Sequence, residues 1–488
     1  MRFLNWASIR LLDYNHLNIV GKQIYNLKNS RRLSITDFQE EIRFSTSGKI
    51  QRFKELVCEL INKDENVIIY CPSKAKAESY ARELIHDLPD IDTTSFIDFL
   101  SHLNSLFKHG KGAQWVVTKG LSKGVGVHHG LVPKYIQNEI IHLFNRQIIK
   151  ILFVTTTITE GVNTSAKNII ILSHLKGRKQ LKTFDAKNIE GRAGRFIHHY
   201  VGRVFILDND FSEIANNDDE VLKHKFFDTT IPKQSVDYPY VRPEYLSEEE
   251  SNDKRRIEEL ILSSQIPESV INSFKTVSPE DKSHLYESIK RLTSAERVCI
   301  QQMITAFARR GVLKKDGFEI ICNKIKAIAK SNNEIVALIE LRRGTSPYCT
   351  LTNMVAVFLL NGFVGEVDYY ALSEDIDSAV RKSAQFIFNT LRYQVVKYVG
   401  LFNLCYKNVL AQEQDCSVDM IQGLDALLMK MEYNANTKLG RKASDAGACF
   451  NVINYYDQLS NNPNTNAYND LDEFEKYNAD RIREIVLQ

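Results

Sequence analysis

The sequence predicts an α/β protein in which a doubly wound parallel sheet is followed by a mostly α-helical domain. In the first half, short aliphatic and β-branched runs alternate with amphipathic helical segments, a pattern typical of parallel sheets. Beyond residue 255, apolar residues recur at helical spacing instead. Ten prolines and 22 glycines are few for 488 residues, which also favours a helix-rich chain.

The first elements illustrate the alternation. Residues 50–61 form an amphipathic pattern with Phe53, Leu56 and Leu60 on one stripe, which predicts a helix. Residues 67–70 are a short apolar run, as expected for a strand buried on both faces. A helix is predicted next, over residues 73–84, so the order is helix, strand, helix.

The alternation continues to residue 207. Strands are predicted at residues 125–127, 148–154, 168–172 and 202–207. Helices are predicted from Pro133 to residue 144, because proline suits a first helical turn, and from Asp185, a good N-cap, to about residue 197. Doubly wound sheets bind ligands at the carboxyl ends of their strands, so the polar motifs are expected at that edge.

The composition changes after this region. Residues 211–255 contain acidic and asparagine-rich runs interrupted by prolines, and are predicted to be a linker. Residues 256–488 are predicted to be a helical accessory domain. It contains a long core-facing helix over residues 380–402, a capping box of Thr293 with Glu296, and an asparagine-rich loop at 461–469.

Bulk properties exclude several classes of protein. A net charge of +3 is too small to indicate nucleic-acid binding, so any such surface must come from local clusters. Eight cysteines without a C-x-x-C pair argue against a zinc site and predict no metal ligands; reduced thiols suggest a cytoplasmic protein. The first residues lack the apolar core of a signal peptide, and no apolar stretch of about 18 residues predicts a membrane span.

Three short strings carry the chemistry, namely G-V-G-V-H-H-G at 124–130, T-T-T-I-T-E-G-V-N at 155–163 and N-I-E-G-R-A-G-R at 188–195. On a helix, Arg192 and Arg195 would point the same way. Arginine forks at such a position can reach a transferring phosphoryl group. Gly191 and Gly194 would let a partner surface come close. The alternative is a pair of surface arginines bound to carboxylates.

Phosphate-binding groups are predicted where strands end. Thr155 and Thr156 offer hydroxyls and backbone amides, and Ser73 and Lys74 offer a hydroxyl and an ammonium. His129 and Gly130 form a turn after another strand. Each has a structural alternative: threonines that close a strand, a helix N-cap at Ser73, and an ordinary turn at the histidines. Two adjacent histidines without a third ligand are a poor zinc site.

In this order, the three strings resemble the second RecA-like domain of superfamily 2 helicases of the DEAD/DEAH type. The nearest branch holds exosome-associated RNA helicases and archaeal repair helicases. The resemblance covers roughly residues 60–210. It implies that Arg192 and Arg195 are catalytic residues that act as arginine fingers on ATP. It implies that the residues near ATP are Gly161, Asn163, Asn188, Gly191, Arg192 and Arg195. It implies that the residues binding nucleic acid are Ser73, Lys74, His129, Gly130, Thr155 and Thr156.

The chain departs from the family in two respects. Asn188 stands where the family usually has glutamine, which shortens the stem of the same amide. The sequence contains no G-x-x-x-x-G-K-[ST] string and no D-E-x-H box in an apolar context. We therefore expect residues 61–210 to be the second RecA-like domain, and residues 1–60 to connect it to a missing first RecA-like domain. That domain, in a separate or upstream polypeptide, would hold ATP and Mg²⁺.

The resemblance implies a part of an ATP-dependent DNA or RNA helicase that binds single-stranded or partly duplex nucleic acid and is inactive alone. The string K-M-E-Y-N-A-N-T-K-L-G-R-K-A-S-D-A-G at 430–447 resembles large bacterial antiphage helicases of the Hachiman type, which implies a defence-system partner protein. In the family, a β-hairpin stands where this chain has the basic residues 176–179. The alternative function is a non-catalytic module that binds nucleic acid or protein and retains a helicase-like fold.

Overall fold

The computed structural model describes residues 21–27, 32–35, 40–43, 48–159, 164, 166–194, 201–216, 233–330, 332–340 and 350–488. The chain forms two compact units. The first contains residues 1–221 together with 375–377, and the second contains residues 222–374 and 378–488.

The first unit is built on a six-stranded sheet in which every pair of neighbours is parallel. Two short antiparallel hairpins accompany it, β2–β3 and β8–β9. The strands are β1 (Gly21–Asn26), β2 (Arg32–Ile35), β3 (Glu40–Arg43), β4 (Val67–Tyr70), β5 (Val125–His128), β6 (Ile151–Val154), β7 (Asn168–Ile171), β8 (Leu175–Lys176), β9 (Lys179–Gln180) and β10 (Val201–Ile206). The order β1–β10–β7–β4–β6–β5 confirms the predicted parallel α/β sheet. It also places β6 and β7 on opposite sides of β4.

Strand β1 was not predicted. It lies in the segment 1–60, which was expected to be a connection, yet it pairs in parallel with β10, with Gly21 opposite Val201. The ring of Tyr25 stacks on that of Phe205 with centroids 5.3 Å apart. Ile24 points to solvent with 55% of its surface exposed. An edge strand needs only one apolar face, so its sequence lacks the continuous apolar run of the central strands.

The helices of the first unit confirm most of the predicted ones. In the described residues they are α1 (Lys49–Asn62), α2 (Lys74–Ile85), α3 (Ile97–Ser105), α4 (Val116–Leu121), α5 (Lys134–Asn145), α6 (Thr183–Glu190) and α7 (Asn209–Asn216). Helix α6 differs from the prediction at both ends. Its N-cap is Lys182, so Asp185 lies inside the first turn, and it ends at Glu190 rather than near residue 197.

The second unit is helical throughout its described part. Its helices are α8 (Glu248–Ser264), α9 (Glu268–Asn272), α10 (Pro279–Lys290), α11 (Ser294–Arg310), α12 (Lys315–Lys326), α13 (Asn333–Glu340), α14 (Leu351–Tyr370), α15 (Ile376–Gln385), α16 (Val396–Glu413), α17 (Asp425–Tyr433), α18 (Lys438–Asp445), α19 (Phe450–Asn461) and α20 (Glu473–Leu487). A π-helical stretch, Phe386–Val395, joins α15 to α16, so the predicted long helix is confirmed. The Thr293–Glu296 capping box is also confirmed. Helices α7 and α8 both reach into residues 211–255, the predicted linker.

Helix α14 is long and apolar enough to cross a membrane by length and composition, the single such helix in the part of the chain described. More than half of its most apolar window is buried, as in core helices of soluble proteins. Gly362 interrupts it with φ 61° and ψ −154°, a conformation that only glycine adopts readily. Glu366 is fully buried beyond this break. The features of α14 therefore fit a core helix.

Candidate functional site

Three of the predicted turns follow adjacent strands of the sheet. The turn after β4 contains Ser73 and Lys74, the turn after β5 contains Gly130, and Thr155 follows β6 directly. A Cβ placed on Gly130 would lie 3.4 Å from Cγ2 of Thr157. The structure thus brings the second and third turns into contact at the carboxyl edge of the sheet, as the sequence predicted.

Ser73 and Lys74 combine a structural and a chemical feature. The Ser73 Oγ accepts a hydrogen bond of 3.3 Å from the Lys76 amide, which makes it the N-cap of α2. Lys74 is half-buried, and burial lowers the pKa of its ammonium. A partly desolvated ammonium beside a helix N-terminus attracts a phosphate more strongly than one in bulk water.

His129 lies beneath the turn rather than on it. Its side chain has no exposed surface, and its Nε2 lies 3.0 Å from Oε1 of the buried Glu78. The Leu131 amide donates to its Nδ1 at 3.3 Å, so the neutral ring carries its proton on Nε2, which donates to Glu78. Burial, followed by the Lys74 charge, lowers the pKa of His129 to about 3. Direct contact of this ring with a phosphate, as expected from the sequence, does not fit its position.

The threonines after β6 are not equally accessible. Thr155 is 7% exposed, and its Oγ1 lies 3.3 Å from that of Thr157. Thr156 is half-exposed. Of the two threonines predicted to meet nucleic acid, Thr156 is the more exposed. Gly161 and Asn163 lie outside the described residues.

The arginine string lies at the opposite edge of the sheet. Ala193 forms a parallel bridge with Ala166, two residues before β7, and the Gly194 amide donates to the Ala166 carbonyl at 2.8 Å. Gly194 has φ 74°, in the left-handed region. A Cβ on Gly202, near the start of β10, would lie 2.4 Å from the Ala193 carbonyl carbon. The prediction that every motif sits at the strand carboxyl ends is therefore wrong for this one.

The same geometry corrects the helical pairing of the arginines. Helix α6 ends at Glu190, so half-exposed Arg192 follows the helix and does not lie on one of its faces. Arg195 itself lies outside the described residues. Asn188 is half-exposed on the last turn of α6, and Gly191 is exposed at its C-cap. One short segment at the end of α6 thus contains three of the residues predicted to lie near ATP, namely Asn188, Gly191 and Arg192.

Residues 48–197 match the model of the helicase conserved C-terminal domain.

This match confirms the resemblance to the C-terminal half of a helicase. An anti-bacteriophage protein B of Escherichia coli K12 is 34% identical over 189 residues, 37% of this chain and 24% of that protein. An ATP-dependent DNA helicase Hel308 of Pyrococcus horikoshii is 24% identical over 177 residues, 35% of this chain and 25% of that helicase. A solved structure of the DUF1998 helicase MrfA bound to DNA and AMPPNP aligns over 38% of this chain and 19% of its own. Its identity is 17% and its TM-score is 0.23. The matched segment spans about a quarter of the two relatives.

The matched segment contains the short hairpin expected between the second and third strings. β8 and β9 pair through Leu175 and Gln180, with Gly177 at φ 66° in the turn. The Gly177 amide donates to the Pro72 carbonyl at 2.7 Å, and the Tyr70 hydroxyl donates to the Leu175 carbonyl at 2.8 Å. The hairpin is therefore fixed beside the Ser73–Lys74 turn.

Two sets of supporting residues were missed from the sequence. At the amino edge, Glu65 forms ion pairs of 2.5 Å with Lys167 and with the fully buried Arg203. At the carboxyl edge, Asp208 accepts from both the backbone amide and Nδ1 of His174, at 3.1 and 3.0 Å. The one available signal was an arginine within the apolar string V-G-R-V-F-I, where a charged residue requires a buried partner.

Proposed function

We propose that this chain supplies the second RecA-like domain of an ATP-dependent helicase, with nucleic acid at one edge of its sheet and ATP at the other. The observation that carries the proposal is the position of the two described ends of the segment from Thr155 to Ala166. It starts at the carboxyl edge beside Gly130 and reaches the amino edge beside Ala193. Strands of four residues separate the two edges by about 13 Å. One short segment thus joins both candidate sites, as coupling of ATP to movement requires.

Arg192, which comes directly before the Ala193 bridge at the amino edge, and Arg195 would act on the γ-phosphate of ATP. An arginine stabilises the charge on a transferring phosphoryl group, an effect of roughly 10³–10⁵ in rate in related systems. Gly161, Asn163, Asn188 and Gly191 would line the nucleotide. ATP and Mg²⁺ would be held mainly by a first RecA-like domain, because the sequence has no phosphate-binding P-loop string.

At the carboxyl edge, the contacts are to the nucleic-acid backbone. Lys74, the Gly130 turn and Thr156 offer a cation, an exposed backbone and a hydroxyl. Buried His129 serves this surface indirectly, since its bond to Glu78 holds the Gly130 turn against α2. None of these groups reads base edges, so binding would not depend on sequence.

The deciding experiment mixes the purified chain with a separately made first RecA-like domain of a similar helicase. Single-stranded nucleic acid should stimulate ATP hydrolysis by the mixture, whereas the chain alone should show none. Arg192→Ala should reduce the stimulated rate at least a hundredfold, and Arg192→Lys should not restore it because the ammonium lacks the planar fork. Arg291→Ala, an exposed arginine of the second unit, is the matched control. Full turnover by Arg192→Ala would refute the arginine-finger role.

A non-catalytic binding module is the second candidate, favoured by the absence of a P-loop string from all 488 residues. Such a module would bind single strands equally well with and without ATP and a first RecA-like domain. Binding that is unchanged by both, together with no stimulated hydrolysis, would favour this candidate over the motor.

The biological setting we propose is defence against bacteriophage. The similarity to an anti-bacteriophage protein B and the string at 430–447 both support it. Expression of the complete system in a sensitive bacterium should lower phage plating, and Arg192→Ala should remove this protection. A defence-system protein would then be a partner of the chain. Equal plating on cells with and without the system would count against this setting.

A further inference from the structure

Among the phenylalanines in the described part of the first unit, Phe184 is the most exposed, with 70% of its surface accessible. It lies in the first turn of α6, between buried Thr183 and half-buried Asp185. Single exposed apolar residues are common and by themselves indicate nothing. The surroundings of this ring are what distinguish it.

Four exposed cations lie shortly before Phe184 in the sequence. They are Lys176, Arg178 and Lys179 of the β8–β9 hairpin and Lys182 at the N-cap of α6. Lys176 Nζ lies 3.4 Å from the Asp185 carboxylate, which ties the hairpin to the turn that carries Phe184. The other three cations form no ion pair with any residue in the described ranges. The ring is thus set in a cluster with surplus positive charge.

This cluster is continuous with the Ser73–Lys74 turn. The Gly177–Pro72 hydrogen bond fixes the hairpin tip beside that turn, and the Leu181 amide donates to the His174 carbonyl at 2.9 Å, closing the hairpin base. Backbone hydrogen bonds therefore link the Lys74 turn to the hairpin, and the Lys176–Asp185 pair links the hairpin to the turn that carries Phe184.

We propose that Phe184 stacks on an unpaired base of single-stranded nucleic acid while Arg178, Lys179 and Lys182 bind the flanking phosphates. The inference rests on the proposed function, because it extends the same nucleic-acid path. An aromatic face beside cations fits this ligand, since every base has a stacking face and every nucleotide carries a negative charge. A protein partner would need a wider apolar patch than one ring.

The test uses the full chain and a labelled single strand containing one 2-aminopurine, whose fluorescence falls when the base stacks. Phe184→Ala should weaken binding about 5- to 100-fold, the range of a lost base–aromatic stack, and should abolish the quenching. Phe184→Trp should retain both. Phe184→Leu keeps an apolar side chain without a ring, and should behave like Phe184→Ala. Tyr393→Ala, which removes a ring 71% exposed on the second unit, is the matched control.

A strand with abasic sites separates stacking from charge. Wild-type protein should bind it less tightly by the same factor that Phe184→Ala loses on the normal strand, and the variant should not distinguish the two strands. If the wild type binds the normal strand and Phe184→Ala binds it with the same affinity, the inference is wrong and the proposed function still stands. Loss of ATPase stimulation alone would identify the ring as a protein contact and also overturn it. No wild-type binding of any single strand would remove both proposals.

Discussion

Ala193 passes so close to Gly202 that a side chain at residue 202 has no room. A Cβ there would lie 2.4 Å from the carbonyl carbon and oxygen of Ala193 and 2.6 Å from the Gly194 nitrogen. All three atoms are backbone, so they cannot rotate away. Gly202 therefore sets how closely the segment that carries Arg192 packs against β10.

Replacement of this glycine should displace the arginine segment. Gly202→Ala is expected to cost about 1–3 kcal/mol in unfolding free energy, as for other overpacked sites. Because Arg192 would move with the backbone, stimulated ATP hydrolysis should fall more than tenfold. Urea unfolding and the two-component ATPase assay measure the two effects.

Gly110→Ala is the control for this prediction. Gly110 has φ 65°, and a Cβ placed on it would meet no atom within 4 Å, so only local backbone strain is introduced. Its ATPase activity should stay near that of the wild type. Normal hydrolysis by Gly202→Ala would show that the arginines are positioned by other contacts.

The second prediction concerns the ion pair beneath this segment. Glu65→Gln removes the Glu65 carboxylate from the fully buried Arg203 guanidinium, so we expect a loss of about 3–5 kcal/mol in unfolding free energy. The double variant Glu65→Gln with Arg203→Met removes the buried charge and should recover part of this loss. Urea denaturation of the three proteins tests it. A double variant less stable than Glu65→Gln would contradict the explanation.

The central strands could be predicted from the sequence because both of their faces are buried. Val67–Tyr70 and Asn168–Ile171 are apolar almost throughout, and the continuous run indicates a strand without further information. Edge strand β1 has no such run, and only its pairing with β10 identifies it. Pairing between residues about 180 positions apart is not a local property, so the sequence pattern could not show it.

The motif residues could be predicted better than their positions. Ser73 as an N-cap and Gly130 in a turn follow from local residue preferences, and the structure has both. The place of Ala193 at the amino edge depends on a bridge to Ala166 and on space at Gly202, which are tertiary contacts. The burial of His129 beside Glu78 likewise depends on tertiary packing, since the string H-H-G could equally belong to an exposed turn.

Lys74 gives a prediction in terms of salt dependence. If its ammonium contacts one phosphate, Lys74→Ala should reduce the log–log salt slope of single-strand binding by about 0.7, because one fewer counterion is released. Two unrelated sequences should give the same change. Fluorescence anisotropy over a salt series measures it, with Lys330→Ala, an exposed lysine of the second unit, as control. A slope equal to wild type would place the strand away from Lys74.

The two buried histidines predict how stability depends on pH. Burial lowers the pKa of His128 to about 4 and that of His129 to about 3, both below the ordinary value of 6.5. Between pH 6.5 and these lower pKa values, the unfolded chain binds a proton at each histidine and the native protein does not. The contribution of the neutral rings to the unfolding free energy is therefore complete above pH 6.5 and falls as the pH drops towards the native pKa values. Each histidine contributes a slope of up to about 1.4 kcal/mol per pH unit.

Tryptophan fluorescence can follow this effect in the first unit, because Trp115 is fully buried in it. Urea unfolding between pH 7 and pH 5 should show the decline. In His128→Asn, the slope of unfolding free energy against pH should be smaller by the contribution of one histidine, since the amide does not titrate in this range. Identical slopes for wild type and variant would mean that His128 is protonated in the native protein.

The last prediction concerns Glu366, which is fully buried in helix α14. Burial raises the pKa of its carboxyl group to about 8, an effect that a backbone interaction with Phe358 partly offsets. The native protein therefore keeps a proton that the unfolded chain releases above pH 4.5, so this contribution to stability is present below pH 4.5 and is lost as the pH rises through about 8. Glu366→Gln replaces the acid with a neutral group of the same shape, and should raise the free energy of opening of α14 by about 1–3 kcal/mol at pH 7 and by less at pH 5. Hydrogen exchange of the α14 amides at both pH values measures it, with Glu259→Gln, an exposed glutamate of helix α8, as a test of charge loss alone. Equal protection of wild type and Glu366→Gln at pH 7 would show that this carboxyl group is ionised without penalty in the native protein.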